Sequence, residues 1–389
     1  MKYGISLIRY AAQLSMWTIG WAGIVSLAQA QTNWQQLGFD NTHSGWNQSE
    51  TLLSAANVGA LQPLWTFSTN GTFSSPAVVD GVLYVGSGDG HVYAMNASTG
   101  ALVWKTLLGG GGTSSSPAVV NGTVYIGTGV DIGFFYALNA KTGKVLWQFR
   151  PAAGVASSPA VANGIVYFGA NDHRVYALNA ASGAVVWSTA GKATVFSSPA
   201  VDNGMVFVGN EAGTTLALNA ATGGIVWRFR SLNNPVFSSP AVANGIVYIG
   251  ETDGEVVALD EATGVPVWRA VVAPPIGVGE VLASPAVANG VLYIGASGTF
   301  SALDAATGGK LWQANVSSVT FVSSPAVANG VVYAGDQSSN LHVMDATTGA
   351  VLNTLTTGGP LYYSSPVVVN GIVYAGSFDK QMHAWSLPR

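Results

Sequence analysis

The chain has 389 residues, of which 49% are hydrophobic and only 8% are charged, and its formal net charge is −4. An average globular protein contains roughly 25% charged residues, so this chain has an unusually small number of charges. A nucleic-acid-binding protein needs a basic surface to neutralise phosphates, and because no run of Lys or Arg occurs here, that class is excluded. The sequence has no Cys, so we expect neither a disulfide nor a lipid attached through Cys.

The first 30 residues have the pattern of an export signal. Lys2 and Arg9 provide positive charge, Tyr10 to Leu27 is mostly apolar, and Ala28-Gln29-Ala30 matches a small-x-small cleavage site. We therefore predict a signal peptide over residues 1–30 and a mature, periplasmic or secreted protein that begins at Gln31. An uncleaved membrane anchor is the alternative interpretation, since the apolar part is long for a signal.

Residues 31–64 form a polar lead-in segment that differs from the rest of the chain. The segment contains Trp34 and Trp46 and has a short helical pattern over Ser54 to Val58. The sequence Leu64-Trp65-Thr66-Phe67 that follows is typical of a β-strand. The predicted domain order is therefore a signal peptide, this lead-in segment and a repeat domain over residues 65–389.

The repeat domain consists of eight copies of one unit, of which Ser238 to Trp268 is an example. Each copy contains a Pro that is followed by an Asn-Gly or Asp-Gly dipeptide. The Pro residues are spaced by 40 to 45 residues and are Pro76, Pro117, Pro159, Pro199, Pro240, Pro285, Pro325 and Pro366. A period in this range indicates a solenoid, a propeller or another repeat array.

Each copy predicts four short strands. Asn-Gly between apolar runs indicates a type I′ hairpin, because both central residues of that turn need a positive φ. The third strand ends in Asn or Asp, and a turn with Gly leads into a fourth strand that contains Trp. These Trp residues, which we predict to be structural docking residues between blades, are Trp65, Trp104, Trp147, Trp187, Trp227, Trp268 and Trp312. We predict an all-β, eight-bladed propeller of four-stranded antiparallel blades.

The eighth copy lacks a fourth strand, because the chain ends shortly after His383-Ala384-Trp385-Ser386. We predict that the strand around Trp65 completes this last blade and closes the ring, which leaves no open sheet edge at the seam. Copy seven has Asn353 where Trp is expected. We therefore predict that the contact between blades seven and eight is the weakest in the ring.

One face of the predicted propeller is the candidate functional face. The loops from strand two to three and from strand four to the next strand one share this loop face, and both kinds vary in length, up to Gly127–Phe135 and Ala270–Ala283. Its candidate binding residues are Asp131, Asp172, His173, Arg174, Glu211, Glu251, Asp253, Glu255, Glu280, Asp336 and Asp379. The alternative interpretation is that charges lie on these loops because loops are solvated.

We predict no catalytic or metal-binding residue from the sequence. The five His residues lack partners at metal-ligand spacing, and no Ser lies in a nucleophile-elbow motif. The Ser-Ser pair, which precedes every repeat Pro except Pro285, is interpreted as a hydrogen-bonding device at the start of the strand. Acidic loop residues are chemically able to hold calcium, but their spacing alone does not define a site.

The motif Ala-x-Asn/Asp-x-x-Thr-Gly-x-x-x-Trp, present in Ala258 to Trp268, resembles the tryptophan-docking repeat of the pyrroloquinoline quinone (PQQ) family of propellers. The opening Trp34 to Thr42 is similar to that of the quinoprotein alcohol dehydrogenases. The resemblance to those enzymes implies PQQ and calcium on the propeller axis. This chain also resembles the propeller lipoprotein of the outer-membrane β-barrel assembly machinery. That resemblance implies a scaffold without a cofactor.

The residues that the enzyme resemblance implies are not matched. Thr72 to Ser75 lies where a Glu is expected, Gly169 to Asp172 lies where a Gly-Ala-Glu loop is expected, and no Cys pair exists. We therefore predict a non-catalytic binding or scaffold propeller of the cell envelope. It is expected to be monomeric, to need no cofactor, and to bind another envelope or extracellular protein or a small ligand on the loop face. The alternatives are a PQQ- and calcium-dependent alcohol dehydrogenase-like quinoprotein and a propeller that senses a sugar or a peptide.

Overall fold

A computed structural model describes residues 32–231, 235–273, 280–315, 319–362 and 364–388. The predicted signal peptide over residues 1–30 and the loop residues 274–279 lie outside this described part. The described residues form eight β-sheets, seven with four strands and one with five, and one 3-10 helix at Val58–Ala60. None of their helices is long and apolar enough to span a lipid bilayer.

The sheets are the predicted blades, and each has the strand order one, two, three, four with antiparallel pairing. The first strands are Ala77–Val79, Ala118–Val120, Ala160–Ala162, Ala200–Asp202, Ala241–Ala243, Ala286–Ala288, Ala326–Ala328 and Val367–Val369. The second strands are Val82–Gly86, Thr123–Gly127, Ile165–Ala170, Met205–Gly209, Ile246–Gly250, Val291–Gly295, Val331–Gly335 and Ile372–Gly376. The turns between them have a positive φ at both the Asn or Asp and the Gly, as a type I′ hairpin requires.

The third strands are His91–Asn96, Phe135–Asn139, Arg174–Asn179, Thr214–Asn219, Glu255–Asp260, Phe300–Asp304, Asn340–Asp345 and Gln381–Ser386. The fourth strands are Leu102–Leu107, Val145–Phe149, Val185–Ala190, Ile225–Arg230, Pro266–Val271, Lys310–Ala314 and Val351–Thr356, with Gln62–Ser68 in the last blade. Second and third strands are buried on both faces, because each blade packs between two neighbours. The predicted eight-bladed all-β propeller is confirmed.

The ring closes through the N-terminal strand. Gln62–Ser68 pairs antiparallel with Gln381–Ser386, and Trp65 lies opposite Ala384. The last blade thereby gains its fourth strand from the other end of the chain, and no sheet edge is open between the first and last blades. The predicted closure by the strand around Trp65 is confirmed.

A ring of serines connects all eight blades at the axis. In each copy the Ser directly before the Pro donates its backbone N–H to the hydroxyl of the equivalent Ser in the next blade, at 2.8–3.1 Å. The last of these bonds runs from Ser365 to Ser75, so the series is closed. In every blade except the sixth, which has Ala283, a second Ser precedes this one and bonds to the end of its own blade's second strand, as when the N–H of Gly250 donates to Ser238.

The lead-in segment crosses the axis and contacts every blade. Its bonding partners are the central Val residues of the eight first strands, namely Val78, Val119, Val161, Val201, Val242, Val287, Val327 and Val368. Seven of these Val residues donate their backbone N–H to residues between Trp34 and Gly45, and the carbonyl of Val368 accepts from Asn47. Residues 46–47 also pair as a short parallel strand with Ala326–Ala328. The segment therefore covers one end of the axis.

The indole of each of the seven repeat Trp residues contacts the next blade. Its Nε1 donates to a backbone carbonyl at 2.8–3.0 Å. Its ring lies against the Gly of that blade's turn, as Trp227 does against Gly264. The Gly has a φ of 70°, and a Cβ there would meet the ring at 2.6 Å, so no other residue fits this position.

The contact between blades seven and eight is built differently. Asn353, which replaces Trp, donates its side-chain N–H to the carbonyl of Val58 at 2.9 Å. Val58 belongs to the 3-10 helix of the lead-in segment, which lies where the other blades have the Gly turn. The contact between blades seven and eight is therefore supported by a hydrogen bond to the lead-in segment. The prediction that this contact is the weakest in the ring did not take that bond into account.

Candidate functional site

A cavity of about 1050 Å³ opens on the loop face at the propeller axis. Its described lining residues come from all eight blades and are mostly apolar or glycine. They are Thr72, Phe73, Gly88, Gly110, Gly111, Gly112, Thr113, Ser114, Gly129, Val130, Asp131, Ile132, Ala156, Phe196, Phe237, Leu282, Val322 and Tyr362. We refer to this cavity as the axial pocket. Its size and its apolar lining are typical of a ligand site.

The wall of the axial pocket consists of one repeat position, the residue three before each conserved Pro. The seven described residues at this position are Phe73, Ser114, Ala156, Phe196, Phe237, Leu282 and Val322, and all of them line the pocket. The side chains are bulky in most blades but small in blades two and three. The open volume is therefore displaced towards those two blades.

The loops of blade two form the rim on the open side. Val130 and Ile132 are 56% and 64% exposed, and Asp131 lies between them with an exposed side chain. A glycine run at residues 109–112 faces this loop, and the carbonyl of Gly112 accepts a hydrogen bond from the N–H of Gly129. The rim thus combines exposed apolar side chains with one acidic side chain.

The other end of the axis is covered by the lead-in segment. His43 lies in this segment, is fully buried, and has its Nδ1 3.1 Å from the carbonyl oxygen of Pro240. Burial lowers the pKa of His43 to about 4, although the nearby Asp40 and this hydrogen bond act in the opposite direction. Because the segment bonds to all eight first strands, we expect a ligand to enter the axial pocket only from the loop face.

Of the sequence-predicted site residues, Asp131 is the one found among the described lining residues of the axial pocket. Asp172 and Asp379 tie neighbouring loops together instead. Asp172 accepts from the N–H of Ala152 and from the hydroxyl of Tyr176, at 3.0 and 2.6 Å. Asp379 accepts from the N–H of Gly358 and pairs with the ring of His383, each at 2.9 Å.

The pKa of Asp379 shows the effect of these bonds. Burial raises it, but hydrogen bonds from neighbouring groups, including the hydroxyl of Ser377 and the N–H of Gln381, lower it below the ordinary value. The carboxylate of Asp379 is therefore ionised at neutral pH, and its oxygens are engaged by the N–H groups of Gly358 and Gln381 and by the ring of His383. Asp336 is similarly enclosed, because it is fully buried and lies 2.9 Å from the ring of His342.

Glu251, Asp253 and Glu255 form a carboxylate cluster whose oxygens lie within 4.8 Å of one another, as a metal site would require. A cation of the protein already lies there, since Arg269 is 3.4 Å from Glu251 and 3.1 Å from Glu255. Burial raises the pKa of Glu251, although a bond from Ser231 and the charge of Arg269 partly oppose that effect. The cluster is thus connected internally as an ion-pair network.

The remaining predicted residues lie apart from the axial pocket. Arg174 donates to the hydroxyl and carbonyl of Ser188 within its own blade. His173 and Glu211 are exposed on their loops. The backbone of Glu280 bonds to Ser297 through both its N–H and its carbonyl. The structure therefore does not gather the eleven predicted residues into one site.

The apolar wall of the axial pocket is not among the sequence-predicted site residues, because those candidates are charged loop residues or His. A signal for it exists in the sequence. Within an otherwise regular repeat, the position three before the Pro changes among Phe, Ser, Ala, Leu, Val and Tyr from copy to copy. A position that every blade presents to the axis and that follows no folding rule is a candidate for ligand contact. The eighth residue at this position, Tyr363, lies outside the described residues.

Eight four-stranded blades, docking Trp residues and an axial pocket define the class of PQQ-like repeat propellers. A family model described as "Beta-alanine-activating enzyme, beta-propeller" matches residues 115–387, and one described as "Outer membrane protein assembly factor BamB" matches residues 48–151. Because the first model spans well over half of the sequence, the chain belongs to the propeller family that it describes.

Individual relatives resemble parts of the chain or its fold. Tetrathionate hydrolase of Acidithiobacillus ferrooxidans is 39% identical over 67 residues, which cover 17% of this chain and only 13% of that protein. The quinohemoprotein alcohol dehydrogenase ADHIIG of Pseudomonas putida HK5 aligns with a TM-score of 0.77 and 17% identity, over 91% of this chain and 80% of that one. BamB of Moraxella catarrhalis aligns with a TM-score of 0.68 and 20% identity, over 84% and 97%. At such identities the structural likeness shows the fold alone.

The described lining residues of the axial pocket lack the groups that would hold PQQ and calcium. PQQ carries several carboxylates, which need cationic partners or many hydrogen-bond donors when they are buried. Among the described lining residues there is no Lys, Arg or His, and the one charged side chain is the acidic Asp131. Calcium prefers six to eight oxygen ligands, and a single carboxylate on an apolar rim does not supply them.

Proposed function

We propose that this chain is an exported, non-catalytic binding propeller that uses the axial pocket to hold an apolar part of a ligand or partner. The cell envelope or the exterior is its proposed location, because residues 1–30 have the pattern of an export signal. The family model of the assembly factor BamB, a propeller described by its role in assembly, supports a binding role over a catalytic one.

The observation on which the proposal depends is the composition of the axial pocket. Its wall is made of Phe73, Phe196, Phe237, Leu282 and Val322, with space left by smaller residues in blades two and three. Burying apolar ligand surface contributes about 25 cal/mol per Å², so such a wall favours uncharged groups. Asp172, Asp336 and Glu251 on the loop face are engaged in loop contacts and ion pairs, and none of the three is among the described lining residues of the axial pocket.

Filling the pocket provides the test of this proposal. Phe occurs at the wall position in blades one, four and five, so we expect A156F to fold normally while it occupies the open side. The purified mature chain should bind the neutral apolar dye Nile red, and A156F should weaken that binding at least about tenfold. The matched control is A181F, which adds the same side chain at an exposed turn on the opposite face. Equal dye binding by wild type and A156F would contradict the proposal.

A second experiment examines the enzymatic alternative. We expect PQQ with Ca²⁺ to leave the melting temperature of the chain unchanged and to support no dye-linked alcohol oxidation. A stabilisation of several degrees together with turnover would show that the quinoprotein interpretation is correct. The proposal would then be wrong, whatever the result with Nile red.

A further inference from the structure

The acidic side chain at the rim differs from the other acidic residues of the loop face. Asp131 is exposed, and within the described part of the chain it has neither an ion-pair nor a hydrogen-bond partner. Asp172, Asp379 and Glu251, by contrast, are each held by side chains or backbone N–H groups. A carboxylate beside an apolar wall, with no cation of its own, favours a ligand that brings a positive charge.

The glycine run opposite Asp131 offers backbone hydrogen bonds. The N–H groups of Gly110 and Gly111 have no acceptor among the described residues, and both glycines line the axial pocket. Their φ values are 93° and 96°. A Cβ placed on Gly111 would meet no atom within 4 Å, whereas one on Gly110 would lie 2.8 Å from Gly133 and Thr128. The backbone is therefore open to a ligand at Gly111, and unpaired peptide N–H groups at a groove edge are suited to an extended peptide.

The apolar surface continues from the rim of the axial pocket to Phe378. Val130, Ile132 and Phe237 line the pocket and are exposed, whereas Phe378 is 38% exposed on the loop face and is not among the described lining residues. Phe378 packs against the ring of Tyr362, which lines the pocket, at 5.0 Å between ring centres. A ligand confined to the cavity would leave Phe378 in water, whereas a polypeptide segment that extends over the rim would cover it.

From these three observations we infer that the axial pocket takes an extended peptide segment in which an apolar residue is next to a basic one. The apolar side chain fills the space beside Ala156, the basic side chain pairs with Asp131, and the peptide backbone accepts from Gly110 and Gly111. This inference rests on the proposed function, since it assumes that the axial pocket is a binding site. It adds the chemical class of the partner.

The test uses three synthetic dodecapeptides with a Gly-Ser background and one central dipeptide each, Phe-Arg, Phe-Gln or Phe-Glu. Their affinities for the purified mature chain are measured by fluorescence anisotropy. We expect Phe-Arg to bind about threefold more tightly than Phe-Gln, since an ion pair that is exposed to water contributes only weakly to affinity. Phe-Glu should bind most weakly, and added salt should reduce these differences.

Two substitutions test whether the side chain of Asp131 causes the preference for a basic residue in the peptide. D131N should make the three peptides bind equally, and D131K should reverse their order. E211Q, which removes another exposed acidic residue of the loop face, is the matched control and should leave the order unchanged. Because Asp131 is exposed on a loop, none of these substitutions is expected to disturb folding.

The outcomes separate this inference from the proposed function. If the three peptides bind equally and A156F abolishes all binding, the axial pocket is the binding site but the inferred preference for a basic residue is wrong. If Nile red binds and no peptide does, the inference of a peptide partner is overturned and the proposed function stands. If peptide binding persists unchanged in A156F, the peptide binds elsewhere and the inference is wrong; if Nile red binding is also unchanged in A156F, the proposed use of the axial pocket is wrong as well.

Discussion

His43 shows how a single side chain couples the lead-in segment to the ring. It is buried in the segment that covers one end of the axis, and its φ of 56° lies in the left-handed region, which His enters more often than most residues. Burial lowers its pKa to about 4, so the ring is neutral at pH 7 and one nitrogen donates to the carbonyl of Pro240. Protonation would place a charge at this buried position, and the nearby Asp40 compensates the cost of burying that charge only in part.

We expect the stability of the protein to fall as the pH decreases from about 6.5 to about 4. The unfolded chain binds a proton with the ordinary His pKa of 6.5, whereas the folded chain does so only near 4. Over that range the unfolded state therefore holds more protons, and the loss amounts to about 3 kcal/mol at most. H43N keeps a donor and tolerates a positive φ. Its melting temperature, measured by calorimetry, should depend less on pH; an identical pH profile would contradict this assignment.

A second prediction at the scale of one residue concerns the contribution of Asn353 to stability. Its bond to Val58 replaces the indole contact of the other blades, so N353A should lower stability by about 1 kcal/mol and the melting temperature by about 2 °C. Blade eight has no Gly turn against which a new indole could pack, so N353W should also lower the melting temperature. An increase with N353W would support the original expectation that this contact is simply incomplete.

At the scale of one element, the lead-in segment has the most unexpected position. It bonds to the central Val of every first strand, a pattern that no local sequence signal reveals. The hairpins, by contrast, were predictable because Asn-Gly fixes both dihedral angles of the turn locally, and the Trp residues because they recur at one spacing. The path of the segment depends on contacts with residues up to 338 positions away, and local patterns carry no information about such distances.

We expect removal of residues 31–47 to destabilise the propeller without unfolding it. The variant loses its bonds to the eight first strands, and we expect its melting temperature to fall by about 10 °C or more. It keeps Gln62–Ser68, so the last blade stays complete and the protein should stay monomeric in size-exclusion chromatography with light scattering. A melting temperature equal to that of the full mature chain would show that the segment contributes nothing to stability.

At the scale of the whole molecule, closure of the ring protects the edges of the sheets. Removal of residues 31–69 takes away Gln62–Ser68 and leaves Gln381–Ser386 as an uncovered edge next to blade one. Exposed edges pair with other chains, so we expect this longer truncation to form oligomers or aggregates. The truncation of residues 31–47 serves as its control. A monomeric, stable product of the longer truncation would show that the ring does not need its N-terminal strand.

The sequence alone predicted the whole architecture more completely than the site. Blade number, strand order and closure follow from a repeat in which Pro, Asn-Gly, Gly and Trp each have a role in folding. The axial pocket depends instead on how side chains at one variable position converge from different blades, as Phe196 and Phe237 do. The sequence predicted charged loop residues such as Asp172 as candidate binding residues. Their hydrogen-bond partners are contributed by the folded structure and have no local sequence signal.

The pairing of the N-terminal strand with the C-terminal one also determines the order of events when the chain is made. The strand that contains Trp65 is synthesised before all eight blades, but its partner around Ala384 belongs to the eighth blade. Blades one to seven are able to form in sequence, whereas the early strand must wait unpaired until the eighth blade has been made. Long-range pairing of this kind is slow and exposes unpaired strands. We therefore expect chains halted before the eighth blade to require protection by chaperones.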